Sequence, residues 1–364
     1  MTSLLGPLEY SRAYYHCDHC HHGWHPTDAE WELTQGTTRG AQEVISLAGV
    51  EDAFAVSAER VLERLSGLTV SSSTVQRITE AVGTDVAERR VRGEPIAPAT
   101  AWDWETDAQG RRVAYVSLDA TGVLQQGLHA ERAEGRMAWV ASVFNPVPRD
   151  VPAKRRLRRS RYVSGLMSLD EIGRQLRHES RQVGVDQAEV VIGLTDGGGG
   201  LEDCLLATVF SGLTCQIVTI LDFYHCAEHV SEFIAQWADP AQAPTAGEHW
   251  RHRLKHAGGA AVLADLEALD LTDRAAAVRE THRQLCGYLR HNRHRTDYPN
   301  YLAHGWEIGS GEIESACKTI VGHRLKGPGM RWRERGTTAL CQLRALFKSE
   351  RQLWDHYWHP VNSA

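Results

Sequence analysis

The apolar positions change their period twice along this chain. From Thr37 to about Arg92 they recur at helical spacing, as in Ala53, Val56, Val61, Leu62 and Leu65, with no strand-like alternation, which predicts a small helical domain. The stretch GEPIAPATAWDWETDAQG (93–110) carries two prolines and several turn residues and reads as a linker. Beyond it strands alternate with helices: RRVAYVSLD, MAWVASVFN, a helix from Leu169 to about Val183, AEVVIGLTD, a helix from Leu201, and TCQIVTILD. That order predicts an α/β fold, a mixed sheet flanked by helices. Helical spacing returns from Tyr224 to about Tyr288, followed by a Gly-rich turn, IGSGEIESACK, and a tryptophan-rich helical end. The expected division is 1–36, a Cys/His-rich knuckle; 37–92, helical; 93–110, linker; 111–239, first part of the core; 240–305, helical insertion; and 306–364, the rest of the core with C-terminal helices.

Composition narrows the class without changing the fold. Among 364 residues, 42% hydrophobic and 24% charged are globular averages and exclude long disorder, collagen-like sequence and coiled coil. No run approaches the ~20 apolar residues of a bilayer span, and MTSLLGPLEYSR lacks a signal-peptide pattern, so a cytoplasmic protein with no membrane partner is expected. Eight scattered cysteines do not make a disulfide framework; only Cys17 and Cys20 have a chemical spacing. The net charge of −6 excludes a protein basic everywhere, whereas nucleic-acid binding needs only a basic stripe.

Two such stripes exist. KRRLRRSRY holds Lys154, Arg155, Arg156, Arg158, Arg159 and Arg161, and a second run places Arg324, Lys326, Arg331, Arg333 and Arg335 around Trp332. Arginines beside an aromatic suit an unpaired nucleotide, and they equally suit a core tryptophan covered by arginine stems. Ala58 to Leu65, the break SGLTVS, and SSTVQRITEAVG resemble a helix-turn-helix, with Ser72 or Ser73 capping a second helix that presents Thr74, Gln76, Arg77 and Thr79. Two helices joined by a Gly turn are common in proteins that never meet DNA.

The chemistry gathers at strand ends. VAYVSLDATG and VVIGLTDGGGG put Asp119 and Asp196 at one sheet edge, where carboxylates plus substrate phosphate oxygens suit a hard divalent cation; such aspartates also serve as caps and turn formers. QIVTILDFYHCAEHV places Asp222, His225, Cys226 and His229 at a helix opening, as a metal group or, more plainly, an N-cap with its neighbours. Glu312 and Glu314 sit two apart and so face different directions; at most one reaches a shared metal.

These residues resemble the DDE insertion-sequence transposases of the Kra group, ribonuclease-H-like relatives of the Mutator-like enzymes, over nearly everything from Tyr14 to Trp358. The likeness rests on YYHCDHCHHGWHPTD, YVSLDATGV, GLTDGGGGLE, ILDFYHCAEHV and above all GWEIGSGEIESACKTIVGHRLKGPGMRW. It implies a ribonuclease-H-like core with an all-helical insertion, and Asp119, Asp196 and Glu314 as catalytic acids holding two Mg2+ (or Mn2+) ions, with Glu312 in the variable position. Asp222 and His225 become an auxiliary pair. Arg155, Arg156, Arg158, Arg159, Arg331, Trp332, Thr74, Gln76 and Arg77 become DNA contacts. The implied partners are double-stranded DNA, as transposon ends and target, and further copies of the chain on that DNA. The second Cys-x-x-Cys of the family's zinc ribbon has no counterpart in residues 1–16, so either His19, His21, His22 or His25 substitutes for it, or, as expected, the chain is a shortened copy in which Cys17 and Cys20 make an incomplete Zn2+ site. Two rivals stay open: a DNA-binding remnant that moves nothing, and a ribonuclease-H-like nuclease without strand transfer.

Overall fold

A computed structural model describes residues 1–34, 36–127, 131–147 and 158–360, with the side chains of 132 and 133 left aside. Five strands form its central sheet: β1 (Val113–Gln126), β2 (Arg132–Phe144), β3 (Ser160–Gly165), β4 (Val190–Thr195) and β5 (Gln216–Leu221), in the spatial order β3-β2-β1-β4-β5. The first three pair antiparallel, and β1, β4 and β5 run parallel. β4 is buried along its whole length, as a central parallel strand requires, and its VVIGLT run accordingly lacks alternation.

Two sequence expectations change here. β1 does not end at Asp119 as the run RRVAYVSLD suggests: Thr121 and Gly122 continue the ladder opposite Ala138 and Met137, because the antiparallel partner runs on after the parallel one stops. The basic run also closes into a strand. Ser160, Arg161 and Tyr162 lie in β3, and Arg161 is 4% exposed, paired to Glu179 and Glu350.

Around the sheet stand α1 (Arg39–Glu51), α2 (Ser72–Val91), α3 (Leu169–Gln182), α4 (Phe223–Trp237), α5 (Ala243–Glu267), α6 (Ala276–His291), α7 (Tyr298–His304), α8 (Gly311–Ala316), α9 (Glu334–Lys348) and α10 (Arg351–Trp358). Helices α4 to α7 bury one sheet face with Val113, Tyr115, Ile192 and Leu194; α3 covers the other with Val116, Leu118 and Val191. The stretch 93–110 packs rather than hangs: Trp102 and Trp104 join that second cluster, and the Trp104 indole donates to the Gly184 carbonyl. α1 and α2 share one core with α9 and α10 through Ile45, Val75, Ile78, Leu343, Leu346 and Trp358. No helix among the described residues is long and apolar enough to cross a membrane.

Candidate active site

Strand register sets the site. Ser117, Leu194 and Ile220 stand side by side across β1, β4 and β5, so the residues two positions further, Asp119 within β1 and Asp196 and Asp222 just past the ends of β4 and β5, lie at one level. They do not share one fate. Asp119 and Asp196 remain half-exposed, whereas Asp222 is 0% exposed and caps α4, its Oδ1 accepting from the Tyr224 and His225 backbone N–H groups at 2.5 and 3.1 Å.

Asp119 lies among like charges. Burial raises its carboxyl above the ordinary aspartate range, and the charges of Asp196 and Glu314 push the same way, against hydrogen bonds from the Ala120 N–H (2.6 Å) and the Cys317 thiol (3.5 Å). Asp196 accepts from the Gly198 N–H at 2.9 Å, a turn made feasible by Gly197 at φ +88. Glu314 comes from the first turn of α8 and is exposed; Ser310 donates to its Oε1 at 2.9 Å. Cys317, three residues on and therefore on the same helical face, packs α8 onto β1; its thiol is pushed up first by burial, then by the Asp119 charge. That spacing was readable in EIESAC as the signal for Cys317, but a lone cysteine there carries no chemical pattern of its own.

Glu312 turns away to β3. Its Oε1 accepts from the Tyr162 hydroxyl at 2.5 Å and the Ser160 hydroxyl at 3.0 Å, and Arg158 stands 3.7 Å from its Oε2. The two glutamates thus face opposite structures, as their spacing required. His225 and His229 stack edge-on at 4.7 Å, each beside a glutamate one turn on, Glu228 and Glu232.

Several DNA-contact expectations shift. Arg158 pairs with Glu307 and Arg159 with Glu350, and they lie over Phe144 and Trp102, so both hold the protein to itself. Lys154, Arg155 and Arg156 lie outside the described residues. Trp332 is 8% exposed, wedged between Phe54 and Arg324, with its indole donating to the Leu325 carbonyl; no face remains for a base. Arg324 is buried and donates to the Gly49 carbonyl. On α2 the cap is Ser71, one residue before the expected pair, and Thr79 is fully buried against Gly49 because α1 crosses there. Gln76 and Arg77 are exposed, Thr74 partly so. A groove of about 790 Å³ runs between Ser72, Ser73 and Gln76 on one side and Arg331, Arg333 and Arg335 on the other, with Phe54 and Trp332 beneath.

Cys17 and Cys20 sit together on a short hairpin, where the Cys20 and His19 backbone N–H groups hold the Cys17 thiol below its ordinary range. Among the described residues no three His, Cys, Asp or Glu side chains form a group able to hold a metal ion. A structural zinc needs four closed ligands, so the hairpin alone does not fit one. Asp119, Asp196 and Glu314 form no such group either as their side chains stand, each accepting a hydrogen bond of its own, although their donors are all oxygen, the chemistry a hard cation takes, and the charges of Asp196 and Glu314 act on Asp119. No protein-family model and no curated protein matches the chain.

Proposed function

We propose that this chain is a transposase of the DDE class, cutting DNA by metal-dependent phosphoryl transfer and joining the freed end to target DNA. One observation carries the reading: Asp119 and Asp196 stand at one level two residues beyond the paired Ser117 and Leu194 of adjacent parallel strands, and the charges of Asp196 and Glu314 both act on Asp119. A sheet of three antiparallel strands extended by two parallel ones, with α5 to α7 between β5 and α8, supports a ribonuclease-H-like core with a helical insertion.

Asp119, Asp196 and Glu314 would hold two Mg2+ or Mn2+ ions, which supply activation of the attacking oxygen and neutralisation of the leaving one. The chain's own residues do the rest. The Cys317 thiol donates to one Asp119 oxygen at 3.5 Å and the Ala120 N–H to the other at 2.6 Å, so the carboxylate is held from two sides. Lys326, donating to the Thr121 hydroxyl two residues past Asp119, sets a cation beside the acids where a phosphate arrives. Water cuts one strand; the 3′-hydroxyl so released attacks a second duplex, within a homo-oligomer on the element's ends.

The test is a duplex carrying the DNA that flanks the coding region. Wild-type protein should leave a strand-specific nick with a 3′-hydroxyl in Mg2+ and none in excess chelator. Binding without nicking in Mg2+ or Mn2+ sinks the proposal and leaves the DNA-binding remnant, which the separately hydrogen-bonded carboxylates favour.

The groove between α2 and the basic turn is where we place the DNA backbone. Converting Arg331, Arg333 and Arg335 to alanine should weaken binding to all sequences alike and flatten the dependence of log K on log salt by about 0.9 for each phosphate no longer neutralised. Arg158→Ala should instead lower the unfolding temperature, since it breaks the Glu307 pair. Gel shifts at two salt concentrations decide: an unchanged slope in the triple variant removes the groove from the interface.

A further inference from the structure

Asp222 stands level with the two catalytic aspartates yet points none of its oxygen to solvent, and its second oxygen goes to the turn that begins α8. Ser310 donates to Asp222 Oδ2 through its backbone N–H at 2.9 Å and through its hydroxyl, and Phe223 N–H donates to the Ile308 carbonyl at 2.8 Å. Gly309 completes the seam: a Cβ there would lie 2.6 Å from the Tyr224 ring, so any larger residue would have to push that exposed side chain aside. The strand end 222–224 and the turn 308–310 therefore form one clamp, and Glu314 rises from it one helical turn later.

The Ser310 hydroxyl also lies 2.9 Å from Glu314 Oε1. A hydroxyl has one hydrogen, so it serves Asp222 or Glu314 but not both at once. Neither arrangement strands a buried acceptor. With the hydrogen on Glu314, Asp222 keeps the N–H groups of Tyr224, His225 and Ser310; with it on Asp222, Glu314 is released and exposed to water.

We propose that Asp222 and Ser310 are positioning residues for Glu314: the Asp222 clamp fixes the turn, and the Ser310 hydroxyl holds the Glu314 carboxylate until it turns to a divalent cation, then passes its hydrogen to Asp222. This rests on the proposed phosphoryl-transfer site but is tested apart from turnover, with Mn2+ as the probe and the full chain in every assay. Ser310→Ala should weaken Mn2+ binding and slow nicking by about 10- to 100-fold, the usual range for losing a partner of a metal ligand. Affinity for end DNA should hold, and Ser310→Thr, which keeps the hydroxyl, should restore most of the Mn2+ affinity. Asp222→Asn, which loses the acceptor for Ser310, should fall the same way as Ser310→Ala. If Ser310→Ala does not fold, Ser310→Cys replaces it, with a weaker donor of similar size and a loss in the same direction. Ser310→Ala binding Mn2+ as tightly as wild type, or Ser310→Thr failing as badly as Ser310→Ala, overturns the proposal, as does wild-type protein that binds no Mn2+. Wild-type protein that binds Mn2+ through Glu314, losing it in Glu314→Gln, but never nicks DNA sinks the transposase reading alone, and the clamp then stands or falls on the Ser310 affinities.

Discussion

Asp119→Asn is expected to lower magnesium-dependent nicking by at least about 10³-fold while making the protein harder to melt. The first effect follows from removing a ligand whose metal contributes several kcal/mol to the transition state, each 1.4 kcal/mol being about tenfold in rate. The second follows from linkage. Burial and the charges of Asp196 and Glu314 raise the Asp119 carboxyl in the folded protein, so the folded state holds that proton more tightly than the unfolded one. Its contribution is absent at low pH, where both states are protonated, and turns destabilising as pH rises through the unfolded and then the folded value. At neutral pH the ionised carboxylate therefore opposes folding, and asparagine relieves it, raising the melting temperature. The gain should vanish near pH 3 and when the wild type is measured in saturating Mg2+. DNA affinity should be unchanged or slightly higher, since a negative charge has left the path of a phosphate. A variant that melts lower than wild type at pH 7 would mean that Asp119 is a structural cap, and equal nicking by both proteins removes it from the chemistry.

The sheet edge was legible because strand composition and register obey short-range rules. VAYVSLD, VVIGLTD and QIVTILD each end an apolar run in aspartate, and parallel pairing alone brings those ends together. What separates Asp222 from its two neighbours was not legible, because its burial depends on the turn 308–310, more than eighty residues away in sequence. Arg324 and Trp332 carry two readings in the sequence, an unpaired nucleotide or a core tryptophan under arginine stems, and the structure takes the second, for a related reason. An arginine or tryptophan in a polar-looking run reads as surface until a distant partner, here Phe54 with the Gly49 carbonyl, covers it. Arg161 was hidden likewise: KRRLRRSRY has the composition of a solvated face, and nothing in it announces that Glu179 on α3 and Glu350 in the turn between α9 and α10 wait for it.

That buried pair of glutamates ties the proposed DNA-binding helices to the sheet, and Glu179→Ala should be the most damaging single substitution in the scaffold. Glu179 on α3 is 4% exposed; Arg90 on α2 lies 3.4 Å from its Oε1 and Arg161 on β3 3.4 Å from its Oε2. Arg161 also pairs with Glu350 at 2.6 Å, and Arg90 reaches the Gln342 side chain at 2.6 Å and the Tyr162 carbonyl at 3.1 Å. Burial lowers the Arg90 guanidinium from its ordinary value and the Glu179 charge opposes that fall, so the carboxylate is what makes a buried cation tolerable. Removing it leaves Arg90 without its counter-charge and Arg161 with one of two, a defect that typically costs about 3–5 kcal/mol. Urea unfolding should show a loss of that size, and because the group is shielded from solvent the loss should persist at high salt, where an exposed pair such as Arg136 with Glu334 is screened. Glu179→Gln, which retains an acceptor oxygen, should lose less. A loss below about 1 kcal/mol for Glu179→Ala would mean that water reaches the two guanidiniums and that α2 is not anchored to the sheet through charge.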